Sequence, residues 1–197
     1  MPHRIGPRGR DASVPRLWLL SDPARLPDPL PLMARLPRGA AVLLRGPAPG
    51  LAAAAARRAR ARGLMLILAG EGRGALAARA GLHVPEHRLM RHLLPFLMMR
   101  RHAGPRARPL LSLAVHGRAG VARARRLGAD AALVSPVFPT ASHPGAPALG
   151  PLRWAALARA LPCPAVALGG MSARRVRRLP RRLCAGWAAI GAWAGAA

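Results

Sequence analysis

Several polar residues of this 197-residue chain fall just after short apolar runs. Arg45 and His116 each follow one such run, and Thr140, Ser142 and His143 lie together in the loop after another. If the runs are parallel strands of one barrel, their ends share one face, and active sites are built on that face. These side chains are therefore the candidates for a functional site.

Glycines occupy two of the same kind of position. Gly169 and Gly170 follow one apolar run, and Gly191 follows the next one along the chain. Glycine lets backbone N–H groups approach a phosphate closely, and the N-terminus of a following helix adds a favourable dipole. Each glycine alone is compatible with a tight turn. Their joint placement indicates a phosphate-binding site.

The apolar runs predict eight strands. Their interior members show no alternation of apolar and polar residues, which is typical of parallel strands covered by helices. The predicted strands are Leu17–Leu20, Ala40–Leu44, Leu64–Leu68, Gly81–Val84, Leu110–Val115, Ala131–Ser135, Ala165–Leu168 and Trp187–Ile190.

The segments between the strands are helix-like. Residues 51–62 are nearly all Ala and Arg, which are good helix formers. Gly128 is placed to end a helix, Pro151 to begin one, and Ser172 to cap the N-terminus of another. Pro180 should bend or shorten the helix that Ser172 caps.

Strands alternating with helices predict an α/β fold, with a single-domain (β/α)₈ TIM barrel as first choice and a doubly wound sheet as second. The barrel is expected to span residues 17–197 with a truncated last helix, because the chain ends at Ala197. Residues 1–16 are basic, rich in Pro and Gly, and expected to form a flexible leader.

The composition indicates which binding partners and which cellular compartment to expect. The net charge is +26, but Arg is spread along the chain and aromatic residues make up only 3%, so we expect solvated helix faces and no specific nucleic-acid partner. The longest apolar stretch, residues 183–197, is too short to cross a bilayer. Cys163 and Cys184 form no metal-ligand pattern, and two buried thiols suit a reducing cytoplasm. The oligomeric state is left open.

The second half of the chain carries a specific resemblance. Residues 129–150 read ADAALVSPVFPTASHPGAPALG, and residues 164–172 read PAVALGGMS. They resemble the Pro-Val-Phe-Pro-Thr and Gly-Gly motifs of the thiamine phosphate synthase/TenI family. GLH at residues 81–83, LAVHG at 113–117 and Arg45 also resemble family motifs. The chain is identified as a divergent member of that family.

The resemblance implies a role in thiamine biosynthesis. The family synthase joins a pyrimidine diphosphate to a thiazole phosphate and releases pyrophosphate. By this resemblance, Arg45, Thr140, Ser142 and His143 would bind the pyrophosphate side of the substrate. Gly169, Gly170 and Gly191 would bind the thiazole phosphate.

The family's Mg²⁺ positions are mostly lost. Ala69 and Gly70 replace its Asn-Asp, and Arg88 replaces a further acid, which leaves Glu71 and Glu86 as the nearby carboxylates. We therefore assign no metal ligand and expect little Mg²⁺-dependent synthase activity.

TenI-type members of the family isomerise a thiazole phosphate without a metal. They resemble this chain in keeping a histidine at the position of His116, which could transfer the proton. Three functions stay open: a synthase, a metal-free tautomerase, and a degenerate barrel that binds phosphorylated ligands without turnover.

Overall fold

Eight parallel strands form one closed sheet in the computed structural model, which describes residues 14–86, 92–104, 107–140, 145 and 147–190. Each strand pairs with its neighbour in sequence, and the first pairs with the last, with Leu17 opposite Trp187. The strands are β1 Leu17–Leu20, β2 Ala41–Leu44, β3 Met65–Ala69, β4 Gly81–Val84, β5 Leu111–Val115, β6 Ala131–Val134, β7 Ala165–Leu168 and β8 Cys184–Ala189. The predicted (β/α)₈ barrel is confirmed, and the doubly wound sheet is wrong.

Helices follow most of the strands. They are α1 Leu30–Met33, α2 Leu51–Arg62, α3 Gly72–Ala77, α4 Leu93–His102, α5 Arg118–Leu127, α6 Gly150–Ala160 and α7 Ala173–Val176. None of the helices in the described residues is long and apolar enough to span a membrane. The end of the chain, where a truncated last helix was expected, lies outside the described residues.

The helix boundaries match the sequence signals. Gly128 ends α5 in the left-handed conformation, and Pro151 lies in the first turn of α6. The hydroxyl of Ser172 accepts a hydrogen bond from the amide of Arg175 and so caps α7. Helix α7 ends at Val176, four residues before Pro180, and is therefore short, as predicted.

Strand β8 begins three residues earlier than predicted. Gly186 lies within this strand, where a Cβ atom would be 2.7 Å from the carbonyl oxygens of Pro15 and Arg16. Only a residue without a side chain allows this approach. Cys184, at the start of the strand, is half-buried, whereas Cys163 is buried as expected.

The core has two layers because the strands are largely apolar on both faces, with His83 of β4 and Ser112 of β5 among the buried polar exceptions. Side chains including Trp18, Leu43, Ile67 and Leu133 fill the inside of the barrel. A second cluster, with Phe96 and Trp154 among its fully buried members, packs the strands against the helices. This packing leaves the polar residues at the carboxyl ends of the strands, around one opening, which is called the mouth below.

Candidate active site at the barrel mouth

The mouth collects residues from several strand ends. Arg45 follows β2, His116 follows β5, and Gly169 and Gly170 follow β7, so these predicted positions share one face of the barrel. Thr140 is half-buried in the loop after β6. Ser142, His143 and Gly191 lie outside the described residues.

The ring of His116 is held by the strand next to it. Its Nδ1 lies 2.8 Å from the carbonyl oxygen of Ser135 and 3.3 Å from the hydroxyl of the same residue. Because a carbonyl oxygen can only accept, Nδ1 carries the hydrogen of that contact. The other ring nitrogen, Nε2, is then the atom that can exchange a proton, and the side chain is 42% exposed.

Glu86 is the carboxylate beside this histidine. Its Oε2 accepts a hydrogen bond of 3.0 Å from the backbone amide of His116 and lies 3.4 Å from Nε2 of the ring. A protonated His116 satisfies both ring contacts at once, because each nitrogen then donates a hydrogen bond. The sequence reading considered Glu86 only as a stand-in for a metal ligand, and it missed this contact.

Arg123 reaches the same region from α5. Its Nη1 donates to the carbonyl oxygen of Glu86 at 2.9 Å, and its Nη2 donates to that of Ala114 at 3.2 Å. The spread of arginines along the chain predicts solvated helix faces, but Arg123 is half-buried. Its position just beside the buried Ala124 is the signal that could have indicated contact with the barrel.

His83 lies beneath these groups, inside the barrel. It is 6% exposed, and its Nδ1 lies 3.0 Å from the hydroxyl of Ser112. Burial, followed by the charges of Arg45, Arg123 and His116, lowers the pKa of His83 to about 3. His83 is therefore neutral at pH 7 and lies below a cationic mouth.

Arg45 is oriented by the loop after β1. Its Nε donates to the carbonyl oxygen of Ser21 at 2.9 Å, and its Nη2 lies 2.5 Å from Oδ2 of Asp22. Burial opposes ionisation of Asp22, but the amides of Arg25 and Ala24 and the charge of Arg45 lower its pKa. This loop was not anticipated from the sequence, and it fixes the guanidinium in place.

Gly169 and Gly170 are packed against the loop that follows β6. Their φ angles are +93° and +60°, and a Cβ on Gly169 would lie 2.7 Å from Cα of Pro136. Their carbonyl oxygens accept hydrogen bonds from the Phe138 amide and the Arg175 guanidinium. Among the described residues, no acceptor is recorded for the N–H of either glycine. The two positions thus need glycine because Pro136 and Pro139 lie too close for a Cβ atom, and their N–H groups are available to a ligand.

The residues at the family's Mg²⁺ positions do not fit a metal. Glu71 accepts hydrogen bonds from the amides of Arg73 and Gly74, which caps α3, and it contacts His92 at 2.8 Å. Glu86 is engaged by His116, while Ala69 and Gly70 have no side-chain oxygen. No cluster of three or more His, Cys, Asp or Glu suited to a metal occurs in the described part of the chain, which omits Arg88.

A family model now identifies the chain. The model described as thiamine monophosphate synthase, TMP-TENI, matches residues 49–193. This chain belongs to the thiamine monophosphate synthase family. The matched range contains every candidate site residue except Arg45. The resemblance in the sequence is thereby confirmed.

Solved structures support the fold of this family member. The thiamine phosphate pyrophosphorylase from Pyrococcus furiosus matches with a TM-score of 0.71 over 91% of this chain and 87% of that one. The two sequences are 20% identical, so this likeness concerns the fold alone. No curated protein sequence gives a significant match.

Proposed function

We propose that this barrel binds a phosphorylated thiazole ligand of thiamine biosynthesis at its mouth and isomerises it without a metal. The observation that supports this function best is the geometry of His116. The Ser135 carbonyl fixes the hydrogen on Nδ1, which leaves Nε2, 3.4 Å from the Glu86 carboxylate in a side chain that is 42% exposed, as the atom that would exchange the proton. Isomerisation removes one proton from one atom of the ligand and returns one to a different atom, so that atoms balance and no electron donor is needed.

The other mouth residues would bind the ligand. Arg45 would hold an anionic group, since its guanidinium is already oriented by Ser21 and Asp22. The N–H groups of Gly169 and Gly170, with Gly191, would bind the phosphate, and Thr140, Ser142 and His143 would contribute polar contacts. A synthase reaction is less well supported, because Glu71 and Glu86 are engaged in protein contacts.

Two substitutions test this function. Arg45→Ala should weaken binding of thiazole phosphate about tenfold or more, because a charge-assisted hydrogen bond is lost. His116→Ala should leave the Kd within about threefold and abolish isomerisation, because it removes a group needed in the transition state. Titration calorimetry gives the Kd, and an isomerisation assay with and without a chelator gives the turnover.

His102→Ala is the matched control, because His102 is an exposed histidine on α4, away from the mouth. It should change neither binding nor turnover. If His116→Ala melts at a lower temperature and keeps the parent's turnover, the catalytic assignment is wrong. If the parent binds the ligand without turnover, the degenerate barrel replaces the tautomerase. Turnover of the synthase reaction that a chelator abolishes would overturn the metal-free assignment.

A further inference from the structure

Two arginines of the α7 region are held against one aromatic ring at the rim of the mouth. The guanidinium carbons of Arg175 and Arg178 lie 5.4 and 5.3 Å from the ring centroid of Phe138. Both distances are within the range of a cation–π contact. Phe138 is itself only 7% exposed, so the ring is a fixed support for both cations.

Arg175 is also tied to the glycine loop. Its Nη1 donates a hydrogen bond of 2.7 Å to the carbonyl oxygen of Gly170. Its own backbone amide donates to the Ser172 cap, which fixes the start of α7. The head group of Arg175 is therefore positioned beside Gly170, one of the two glycines of the proposed phosphate site.

The charge of this pair is not balanced by the protein. The chain has no Asp or Glu after Asp130, and no carboxylate of the described residues forms an ion pair with Arg175 or Arg178. Two cations on one ring repel each other, and this repulsion costs free energy unless an anion lies near both. A guanidinium has five N–H donors in a planar fork, which suits the oxygens of a phosphoryl group.

We infer that Arg175 and Arg178 form the cationic edge of the phosphoryl-binding subsite at Gly169 and Gly170. They would contact non-bridging oxygens of the phosphoryl group and would favour phosphorylated ligands over the corresponding alcohols. This inference rests on the proposed function, because it adds residues to the same mouth. It concerns binding alone, so its test needs no turnover.

The same segment supplies a matched control. Arg174 and Arg177 are exposed neighbours of the pair, and the structure records no contact between them and Phe138 or Gly170. Removing Arg174 and Arg177 takes away the same number of positive charges, two, from the same short segment. A difference between the two double variants therefore isolates the effect of position from that of net charge.

The experiment is calorimetric titration of the full chain with inorganic phosphate and with pyrophosphate, at about 0.15 M salt to screen distant charges. R175A/R178A should weaken binding of at least one probe about tenfold or more, whereas R174A/R177A should stay within about threefold. R175Q/R178Q removes both charges but keeps a polar side chain, shorter than that of arginine, at each position, and it should lose as much affinity as the alanine variant. Melting temperatures identify the folded variants.

Each result decides the question. Loss confined to the Arg175 variants supports the inference, and the affected probe identifies the ligand group. Equal weakening by both alanine variants shows an effect of net charge and overturns it. Wild-type affinity in R175Q/R178Q also overturns it, even if the alanine variant does not fold. If the wild-type chain binds neither probe, the proposed function fails as well.

Discussion

A main-chain carbonyl, rather than a side chain, orients the ring of His116. The contact with the Ser135 oxygen fixes the tautomer, because only an N–H can satisfy a carbonyl acceptor. Glu86 then approaches the other ring nitrogen from the end of β4. The two ring nitrogens are thus held by residues that follow β6 and β4, the two strands on either side of β5, and this arrangement would define the atom that exchanges a proton in the proposed reaction.

His83 illustrates the opposite case, a histidine kept neutral by its surroundings. The folded state binds a proton only near pH 3, whereas an unfolded chain binds one near pH 6.5. The stability associated with neutral His83 is therefore present above pH 6.5 and is lost as the pH falls toward 3. Between pH 7 and pH 5 the free energy of unfolding should decrease by about 2 kcal/mol from this group.

His83→Gln should remove that part of the pH dependence, because glutamine can replace the hydrogen bond to Ser112 but does not titrate. Urea unfolding at pH 7 and pH 5 measures the change. His102→Gln is the control, since His102 is exposed and should leave the decrease intact. A decrease of the same size in His83→Gln would show that other groups cause it.

At the scale of elements, the mouth depends on the contact between the loops after β6 and β7. The amides of Val137 and Phe138 donate to the carbonyl oxygens of Leu168 and Gly169, which extends the pairing of these strands beyond their ends. The glycines permit this approach because Pro136 and Pro139 lie against them. The two glycines of the proposed phosphate site and the Phe138 ring are therefore positioned by one packed unit.

Gly170→Ala tests this unit. A Cβ at Gly170 would lie 2.5 Å from the Pro139 carbonyl oxygen, whereas one at Gly70 would have no neighbour within 4 Å. Both glycines have positive φ, at +60° and +83°, so both alanine variants incur backbone strain of about 1–2 kcal/mol. Gly170→Ala should lose a further ~1–3 kcal/mol of stability through overpacking and should weaken phosphate binding. Equal stabilities of the two variants in urea would contradict this packing argument.

At the scale of the whole molecule, Arg100 ties α4 to the barrel. Its side chain is 6% exposed, and it donates to the carbonyl oxygens of Pro109 and Gly128 and to the carboxylate of Asp130. Asp130 in turn accepts from the amide of Leu111, at the start of β5. This buried ion pair links a helix, two strands and a helix end on the outside of the barrel.

Arg100→Ala should therefore lower the free energy of unfolding by about 3 kcal/mol, because it leaves buried acceptors and a partly buried carboxylate without their main partner. Arg101→Ala, at the next position, removes an exposed arginine and should change it by no more than ~0.5 kcal/mol. Denaturant unfolding of the two variants measures the difference. Similar losses in both would show that Arg100 has no special structural role.

The sequence alone determined the strands, the barrel and the face on which the candidate site residues lie. The apolar runs, and the prolines and glycines between them, are local signals, and parallel strands in sequence order place their carboxyl ends on one side. For the same reason the positions of Arg45, His116, Gly169 and Gly170 could be predicted without coordinates. The start of β8 was missed because its close contact with Pro15 and Arg16 involves the opposite end of the chain.

Only the tertiary structure decided what the polar groups contact. The Glu86 carboxylate meets the amide of His116 across 30 residues of sequence, and Arg123 reaches the carbonyl oxygen of Glu86 across 37. Glu71, a carboxylate near a lost metal position, caps its own helix instead. A hydrogen bond depends on distances of tenths of an ångström and on the direction of each donor. Those quantities are fixed by how helices and loops pack around the barrel, which residue type and spacing do not specify.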